Sequence, residues 1–359
     1  MFLQAASLLA VAQAAPYSFV TFGDWGTGSA LQRDCADAVN QYFTTKPYSM
    51  VVGLGDSFYN GPLSPNPADD KRWTTEFTDM YTFPVDFYPC MGNHVSAFLS
   101  GPSHPLALCS LCSLTPATSF HCPLQDYKGS VSAQTTFTAD KRWHARVNGT
   151  LTVPEADLSI VFVDTPRACP SYMKAPYGDC NENCMLQLAN LTDGMPCTEA
   201  TSLPCWLSHV AWLNATLAGL TTKWKFVAGH HPIDDEHMPY MMPALNAHGV
   251  QAYLAGHVHN LQHAAEKGSL VNYFISGAGA FGTAFELEAS RLQAQGVALG
   301  TTHRPRSITH PEGREWSAAN WVANGPGFLA IELDGDVAKA QFIYHNGSVI
   351  YATTFNSTA

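Results

Sequence analysis

Short runs of β-branched and apolar residues recur along the chain, and each ends in a polar cluster. Tyr17 to Phe22 leads into Gly23-Asp24, Met50 to Leu54 into Gly55-Asp56, and Val85 to Met91 into Gly92-Asn93-His94. Leu158 to Val163 leads into Asp164, Lys225 to Ala228 into Gly229-His230, and Gln251 to Ala255 into Gly256-His257. Near-continuous apolar runs of this length predict strands buried on both faces. Helical patterns fall between them, at Ser29 to Thr45, Asp69 to Tyr81 and Cys205 to Thr221. In the last, Trp206, Val210, Leu213, Leu217 and Leu220 share one face. Strands alternating with helices predict an α/β fold. The tail differs. Phe328 to Leu333, Val337 to Tyr344 and Ser348 to Phe355 are separated by Asp334-Gly335-Asp336 and Asn346-Gly347, which predicts a β-meander with two tight turns. Residues 96–150 and 165–205 read as long insertions carrying Cys and Pro. No internal repeat or low-complexity linker divides the chain, so residues 15–359 are expected to form one domain.

Composition narrows the class. The 359 residues are enough to bury a sizeable core. The net charge of -11 argues against a nucleic-acid partner, because there is no basic patch to displace counterions from phosphates. A hydrophobic content of 46% argues against disorder. No apolar run beyond the extreme N-terminus is long enough to span a membrane.

Met1 to Ala14 is apolar and ends in small residues, with Ala12 and Ala14 in the A-x-A pattern of a signal-peptide cleavage site. No Lys or Arg precedes it, the first being Arg33, and a buried first strand or helix is the alternative. Secretion draws support from ten cysteines, even in number and mostly in turn-rich stretches, as in a disulfide framework. Cys109 and Cys112 with His121 and Cys122 could form a zinc site instead, but an oxidising compartment favours disulfides. Glycosylation sequons stand at Asn148, Asn190, Asn214, Asn346 and Asn356. A secreted or lysosomal/vacuolar glycoprotein is expected.

The strand-end residues form an ordered set: Asp24, Asp56, Tyr59, Asn93, His94, His230, His231, His257 and His259. Carboxylates, imidazoles, an amide oxygen and a phenol are metal ligands of mixed hardness. The set exceeds the needs of one ion, and a carboxylate shared by two ions about 3.5–4 Å apart would use it. His257 and His259, two apart, point the same way from an extended segment. In open α/β sheets ligands bind beyond the carboxyl ends of the strands, where these residues fall. Singly each is a turn; the ordered repetition is the signal.

Gly23-Asp24-Trp25-Gly26, Gly55-Asp56-Ser57-Phe58-Tyr59, Gly92-Asn93-His94, Val227-Ala228-Gly229-His230 and Gly256-His257-Val258-His259 match, in order, the blocks of the calcineurin-like metallophosphoesterases. The chain resembles that family over about residues 17 to 280. Tyr59, three after Asp56, makes the resemblance one to the purple acid phosphatases, in their small, tartrate-resistant form. The resemblance implies a four-layer α/β/β/α sandwich with two central mixed sheets. It implies that Asp24, Tyr59 and His259 hold a ferric ion, that Asp56 bridges, and that Asn93, His230 and His257 hold a divalent ion, Fe2+, Zn2+ or Mn2+. His94 and His237 would sit just outside and handle protons and phosphate oxygens. The implied activity is an acid phosphatase that hydrolyses phosphate monoesters by attack of metal-bound hydroxide. Small phosphate monoesters, nucleotides or phosphoproteins would be its substrates, and the protein is expected to be a monomer. A phosphodiesterase or nucleotide pyrophosphatase with two divalent ions is the alternative, and a non-catalytic scaffold with the same fold is a third reading.

Elementary chemistry agrees with the implied assignment. A phenolate suits a ferric ion, and three anionic ligands against a 3+ and a 2+ ion leave about +2, room for a phosphate dianion. A ferric ion acidifies bound water more than a divalent one does, which favours activity at low pH. No G-x-S-x-G nucleophile elbow occurs. Three positions depart from the family pattern. Val95 stands where Asp or Glu is usual, His231 where an aromatic is usual, and the spacing from His230 to His237 is shorter than in the animal enzymes. Gly277 to Gly282 fits G-x-G-x-x-G after an expected strand Val271 to Ser276, but threonines and His303 stand where a dinucleotide fingerprint needs an acid. A structural turn near the site is expected there, with no nucleotide cofactor. Arg304 and Arg306 could hold phosphate, with solvated loop cations as the simpler reading.

Overall fold

Two mixed sheets stand face to face in a computed structural model that describes residues 15–59, 63–64, 66–95, 123–168, 202–235, 237–265, 268–281 and 321–358. One contains β1 (Tyr17–Phe22), β2 (Met50–Gly53), β3 (Asp86–Pro89) and the tail strands β11 (Gly327–Asp334), β12 (Val337–Tyr344) and β13 (Val349–Asn356). Its order is β13-β12-β11-β1-β2-β3, with β1, β2 and β3 parallel and the tail antiparallel. The other contains β4 (Gly149–Val153), β5 (Leu158–Phe162), β6 (Trp224–Ala228), β7 (Ala252–Ala255), β8 (Leu261–Ala265), β9 (Asn272–Ser276) and β10 (Trp321–Ala323). Its order is β10-β8-β9-β7-β6-β5-β4, with β5, β6, β7 and β9 parallel.

Alternation explains why the strands read as continuous apolar runs. Side chains of a strand point to opposite faces in turn, and here each face meets a different core. Phe19, Val52 and Leu54 meet Ile160, Phe226 and Leu254 between the sheets. Val20, Phe22 and Val51 point the other way, onto Cys35, Ala36 and Val39 of helix α1 (Ala30–Thr45). On the far side, Val161, Val227 and Tyr253 pack against Trp206, Leu213 and Leu217 of α3 (Ser202–Ala218), the second helix of that layer being α4 (Met242–Ala247). The four-layer α/β/β/α sandwich is therefore the observed architecture. Ser29 caps α1, its hydroxyl accepting from the Gln32 N–H.

Several expectations change. Asp69 to Tyr81 is not an α-helix. A short 3₁₀ turn (Pro67–Asp69) precedes a π-helical stretch (Trp73–Thr78), in which the Asp79 N–H bonds Thr74 O at 2.9 Å. Trp73, Phe77 and Tyr81 are buried in an aromatic cluster around Trp25, and this packing overrides the local pattern. The stretch 96–150 is not all insertion: α2 (Pro123–Thr136) lies in it, and Ala133, Phe137 and Trp143 join the outer core. Strands β4, β8 and β10 escaped the apolar-run criterion because they are short and rich in polar or half-buried residues.

The cysteine framework also needs correction. Cys35 on α1 and Cys90 just after β3 are buried free thiols, packed as small apolar side chains in two cores. Cys205 is disulfide-bonded. The other cysteines, the leader 1–14, Asn190, Arg304 and Arg306 lie outside the described residues. The sequon residues Asn148, Asn214, Asn346 and Asn356 are all exposed. Among the described residues no helix is long and apolar enough to cross a membrane.

Candidate metal centre

The parallel strands of both sheets deliver their carboxyl ends to one seam. β1 ends in Gly23-Asp24, β2 leads to Gly55-Asp56, β3 to Gly92-Asn93-His94, β6 to Gly229-His230 and β7 to Gly256-His257. The loops are pinned to one another by backbone bonds: Asp24 N–H to Gly55 O at 3.1 Å, Trp25 N–H to Asp56 O at 3.3 Å, and Gly256 N–H to His230 O at 2.9 Å.

Backbone strain marks the same residues. Four non-glycine residues among those described have positive φ, and three are Asp24 (60°), Asp56 (45°) and His257 (67°). That region costs an L-residue roughly 1–2 kcal/mol, and strain of this kind clusters at functional sites. Two glycines make room for the ligands of neighbouring loops. A Cβ on Gly92 would lie 2.1 Å from Asp56 Oδ1, and one on Gly256 would lie 2.5 Å from Asp24 Oδ2.

The side chains gather in two adjoining clusters. In the first, the Tyr59 hydroxyl lies 2.7 Å from Asp24 Oδ1 and 3.1 Å from His259 Nε2. In the second, Asn93 Oδ1 lies 2.8 Å from His230 Nε2 and 3.0 Å from His257 Nδ1, and those two nitrogens are 3.3 Å apart. Asp56 Oδ2 joins them, 3.2 Å from the Tyr59 hydroxyl and 3.2 Å from His230 Nε2. All seven side chains expected to meet are thus in one place. The backbone N–H of His94 bonds Asp56 Oδ1 at 2.8 Å, and its ring lies against that of Tyr59, 4.5 Å between centroids. His237 heads the short 3₁₀ turn Met238–Met241, its ring facing Tyr240.

Buried carboxylates and imidazoles dominate the electrostatics of the seam. Asp24 and Asp56 are fully buried, and among the described residues their ion-pair partners are imidazoles. Burial pushes the Asp56 carboxyl up, but the adjacent His230 outweighs it and holds the group well below the carboxylate range. For His230, burial works downward, yet Asp56 and Asp24 raise it to about 9. His257 is lowered to about 3 by burial and by His230. Burial and the charges of Asp24 and Asp56 hold the Tyr59 phenol well above its usual range. Buried like charges and crowded imidazoles are costly unless paired or bound to metal. The donor set therefore fits two metal ions. Asp24, Asp56 and His230, and also His230, His231 and His257, offer ligand atoms within 4.8 Å of one another.

Sequence reasoning missed three partners. Thr165, just beyond β5, bonds the His230 loop through its hydroxyl. Phe281 stacks on His259 at 3.7 Å and 10° and meets Tyr59 edge-on at 4.9 Å. Asp235 Oδ2 stands 3.7 Å from His257 Nε2. Only Phe281 had a signal, in the glycine-rich run at 277–282. The described part of that run, 277–281, lies at the site with a bend at 279–280: a Cβ on Gly277 would approach Asp24 Oδ2 to 2.9 Å.

Residues 17–261 match the family described as calcineurin-like phosphoesterase, and the chain belongs to that family. It is 26% identical over 287 residues to tartrate-resistant acid phosphatase type 5 of Sus scrofa, covering 73% of this chain and 69% of the relative. Among solved structures it is similar to purple acid phosphatase PPD1 from yellow lupin seeds, with a TM-score of 0.55, 13% identity, and coverage of 96% of this chain and 54% of that one. It is also similar to GAP50, the anchor in the inner membrane complex of Plasmodium, with a TM-score of 0.56, 17% identity, and coverage of 95% and 89%. These two likenesses show the fold. Family, fold and relatives together indicate a phosphoesterase of the purple acid phosphatase type.

Proposed function

We propose that the protein is a secreted or lysosomal acid phosphatase that hydrolyses phosphate monoesters at a binuclear metal centre. The observation that carries the reading is the pair of clusters sharing one carboxylate. Asp24, Tyr59 and His259 would hold a ferric ion; Asn93, His230 and His257 would hold Fe2+, Zn2+ or Mn2+; Asp56 touches both groups and would bridge. The two ions would supply Lewis acidity toward phosphoryl oxygens and a nucleophilic water at acid pH.

The chain's own residues prepare that chemistry. Asp24 is fixed by the His257 N–H at 2.8 Å and Asp56 by the His94 N–H, so neither carboxylate must reorganise to accept a cation. The Tyr59 phenol ionises only if a strong cation compensates the buried carboxylates, which favours a trivalent ion beside it. His94, half-buried over the Tyr59 ring, would carry a ring proton to the leaving oxygen. His237 would be a second donor, and burial lowers its pKa. The leader-like N-terminus and the exposed sequons support a secretory route for a monomer whose residues 15–359 form one domain.

The test is elemental analysis with a visible spectrum and turnover of a chromogenic phosphate monoester at acid pH. Two metals per chain, a purple or pink colour and turnover are expected, and Asp56→Ala should lose metal and activity together. Full activity without metal would end the proposal. A colourless, fully loaded protein would favour the phosphodiesterase reading with two divalent ions. Metal binding with no turnover of any ester would favour a scaffold.

A further inference from the structure

Two buried imidazoles and a half-buried one crowd the second cluster, and their hydrogen-bond partners distinguish them. A ring nitrogen of His231 lies within 4.8 Å of ligand nitrogens of both His230 and His257. The His231 ring is 4.5 Å from that of His257 and 5.0 Å from that of His230. By proximity alone His231 would be a third imidazole ligand.

Its partner argues otherwise. Thr165 Oγ1 receives the backbone N–H of His230 at 3.1 Å and that of His231 at 3.0 Å. Backbone N–H groups can only donate, so both hydroxyl lone pairs are taken. The third contact of the same oxygen is His231 Nδ1 at 2.9 Å. The hydroxyl has only its proton left to offer, so Nδ1 must accept it. An imidazole whose Nδ1 accepts carries its proton on Nε2.

The neighbours are held differently. His230 Nδ1 faces the Leu54 carbonyl at 2.8 Å, which can only accept, so Nδ1 keeps its proton and Nε2, beside the oxygens of Asp56 and Asn93, is the nitrogen that a cation among those oxygens would take. His257 turns Nε2 toward the Asp235 carboxylate and Nδ1 toward Asn93 and His230. Two imidazoles thus turn a ring nitrogen onto the same Asn93 oxygen, where a cation would take the place of a proton, and the third offers an N–H fixed by Thr165.

We propose that Thr165 is a positioning residue that locks His231 as the Nε2–H tautomer, making it a hydrogen-bond donor beside the metal centre and removing it from the ligand set. The proposal rests on the binuclear reading for its consequence, since a fixed N–H repels a cation and leaves it to His230 and His257. The tautomer itself is independent of that reading.

The test is long-range proton–nitrogen correlation on the full chain with histidine-selective nitrogen-15 labelling, metal-free and zinc-loaded, with His231→Gln providing the assignment. His231 is expected to bear its proton on Nε2 in both states. Thr165→Ser should preserve this pattern and Thr165→Val should abolish it. Elemental analysis of His231→Gln is expected to give the wild-type ratio of zinc to protein. A proton on Nδ1 of wild-type His231, loss of its Nε2 proton on zinc loading, or loss of zinc from folded His231→Gln would each overturn the assignment. Should Thr165→Val fail to fold, the wild-type spectra still decide. If zinc does not bind at all, the binuclear reading fails while the metal-free spectrum still reports the tautomer.

Discussion

At the scale of single residues, the backbone conformations separate functional strain from ordinary turn geometry. Asp157 shares the left-handed conformation of Asp24 and Asp56, at φ 48°, but it sits between β4 and β5, with the 3₁₀ turn Pro154–Ala156 before it. Asp157→Gly should therefore change stability by no more than about 1 kcal/mol and leave metal content intact, as melting curves and elemental analysis would show. Gly92→Ala should do the reverse. The added methyl would lie 2.1 Å from Asp56 Oδ1 and 2.4 Å from the Asp56 backbone nitrogen, neither of which can yield cheaply. We expect loss of bound metal and a fall in turnover of about a hundredfold or more, with the far-ultraviolet circular dichroism unchanged. The seven clustered side chains were legible in the sequence because each falls in the short polar segment that follows a strand, most of them directly after a glycine. Thr165 and Asp235 were not, because a threonine and an aspartate acquire meaning only when the fold sets them against imidazoles of other strands.

At the scale of elements, the misread segment 69–81 shows what the sequence withholds. Its apolar spacing suits a helix, but the outcome depends on Trp25, Phe137 and Trp143, which arrive from elsewhere. Trp73 stacks on Phe137 at 3.7 Å and 8°. Arg142 fastens the far end. Its guanidinium reaches the carbonyls of Tyr81 and Phe83, lies over the rings of Phe77 and Phe83, and forks onto Asp140. Burial pushes the Asp140 carboxyl up, but the bonds from Arg142 outweigh it and hold it below the usual value of 3.8. A carboxyl whose folded pKa is depressed stabilises the fold above its unfolded pKa, and that contribution fades as pH falls through the folded value. Asp140→Asn should therefore cost roughly 1–3 kcal/mol near neutral pH, as expected for a hydrogen-bonded charge. The difference from wild type should shrink as pH falls below 3.8. Denaturant melts of both proteins across that range check it, and a gap that does not narrow would assign the cost to packing instead.

At the scale of the whole molecule, the site lies where two separately wound sheets meet. Asp24, Asp56 and Asn93 follow strands of the first sheet; His230, His257 and His259 follow strands of the second. The α/β class was legible from apolar runs alternating with helical patterns, and the four-layer arrangement only through the family resemblance. The strand order was not, since β9 pairs with β7 while β8 folds to the outside, a choice made by long-range pairing. An ion bound across the seam ties the sheets together in the native state alone, so binding must raise stability, by about 2.7 kcal/mol for each ion held at a hundredfold excess over its dissociation constant. Chelation should lower the melting temperature of the purified protein, and re-addition of metal should restore it. The shared carboxylate makes this prediction divisible. Asp56 touches both clusters, so Asp56→Ala should abolish the whole metal-dependent shift. His259 belongs to the first cluster only, so His259→Ala should keep the part due to the second ion. Equal loss in both variants would mean that the two ions bind as one unit, and an undiminished shift in Asp56→Ala would place the stabilising metal somewhere other than this seam.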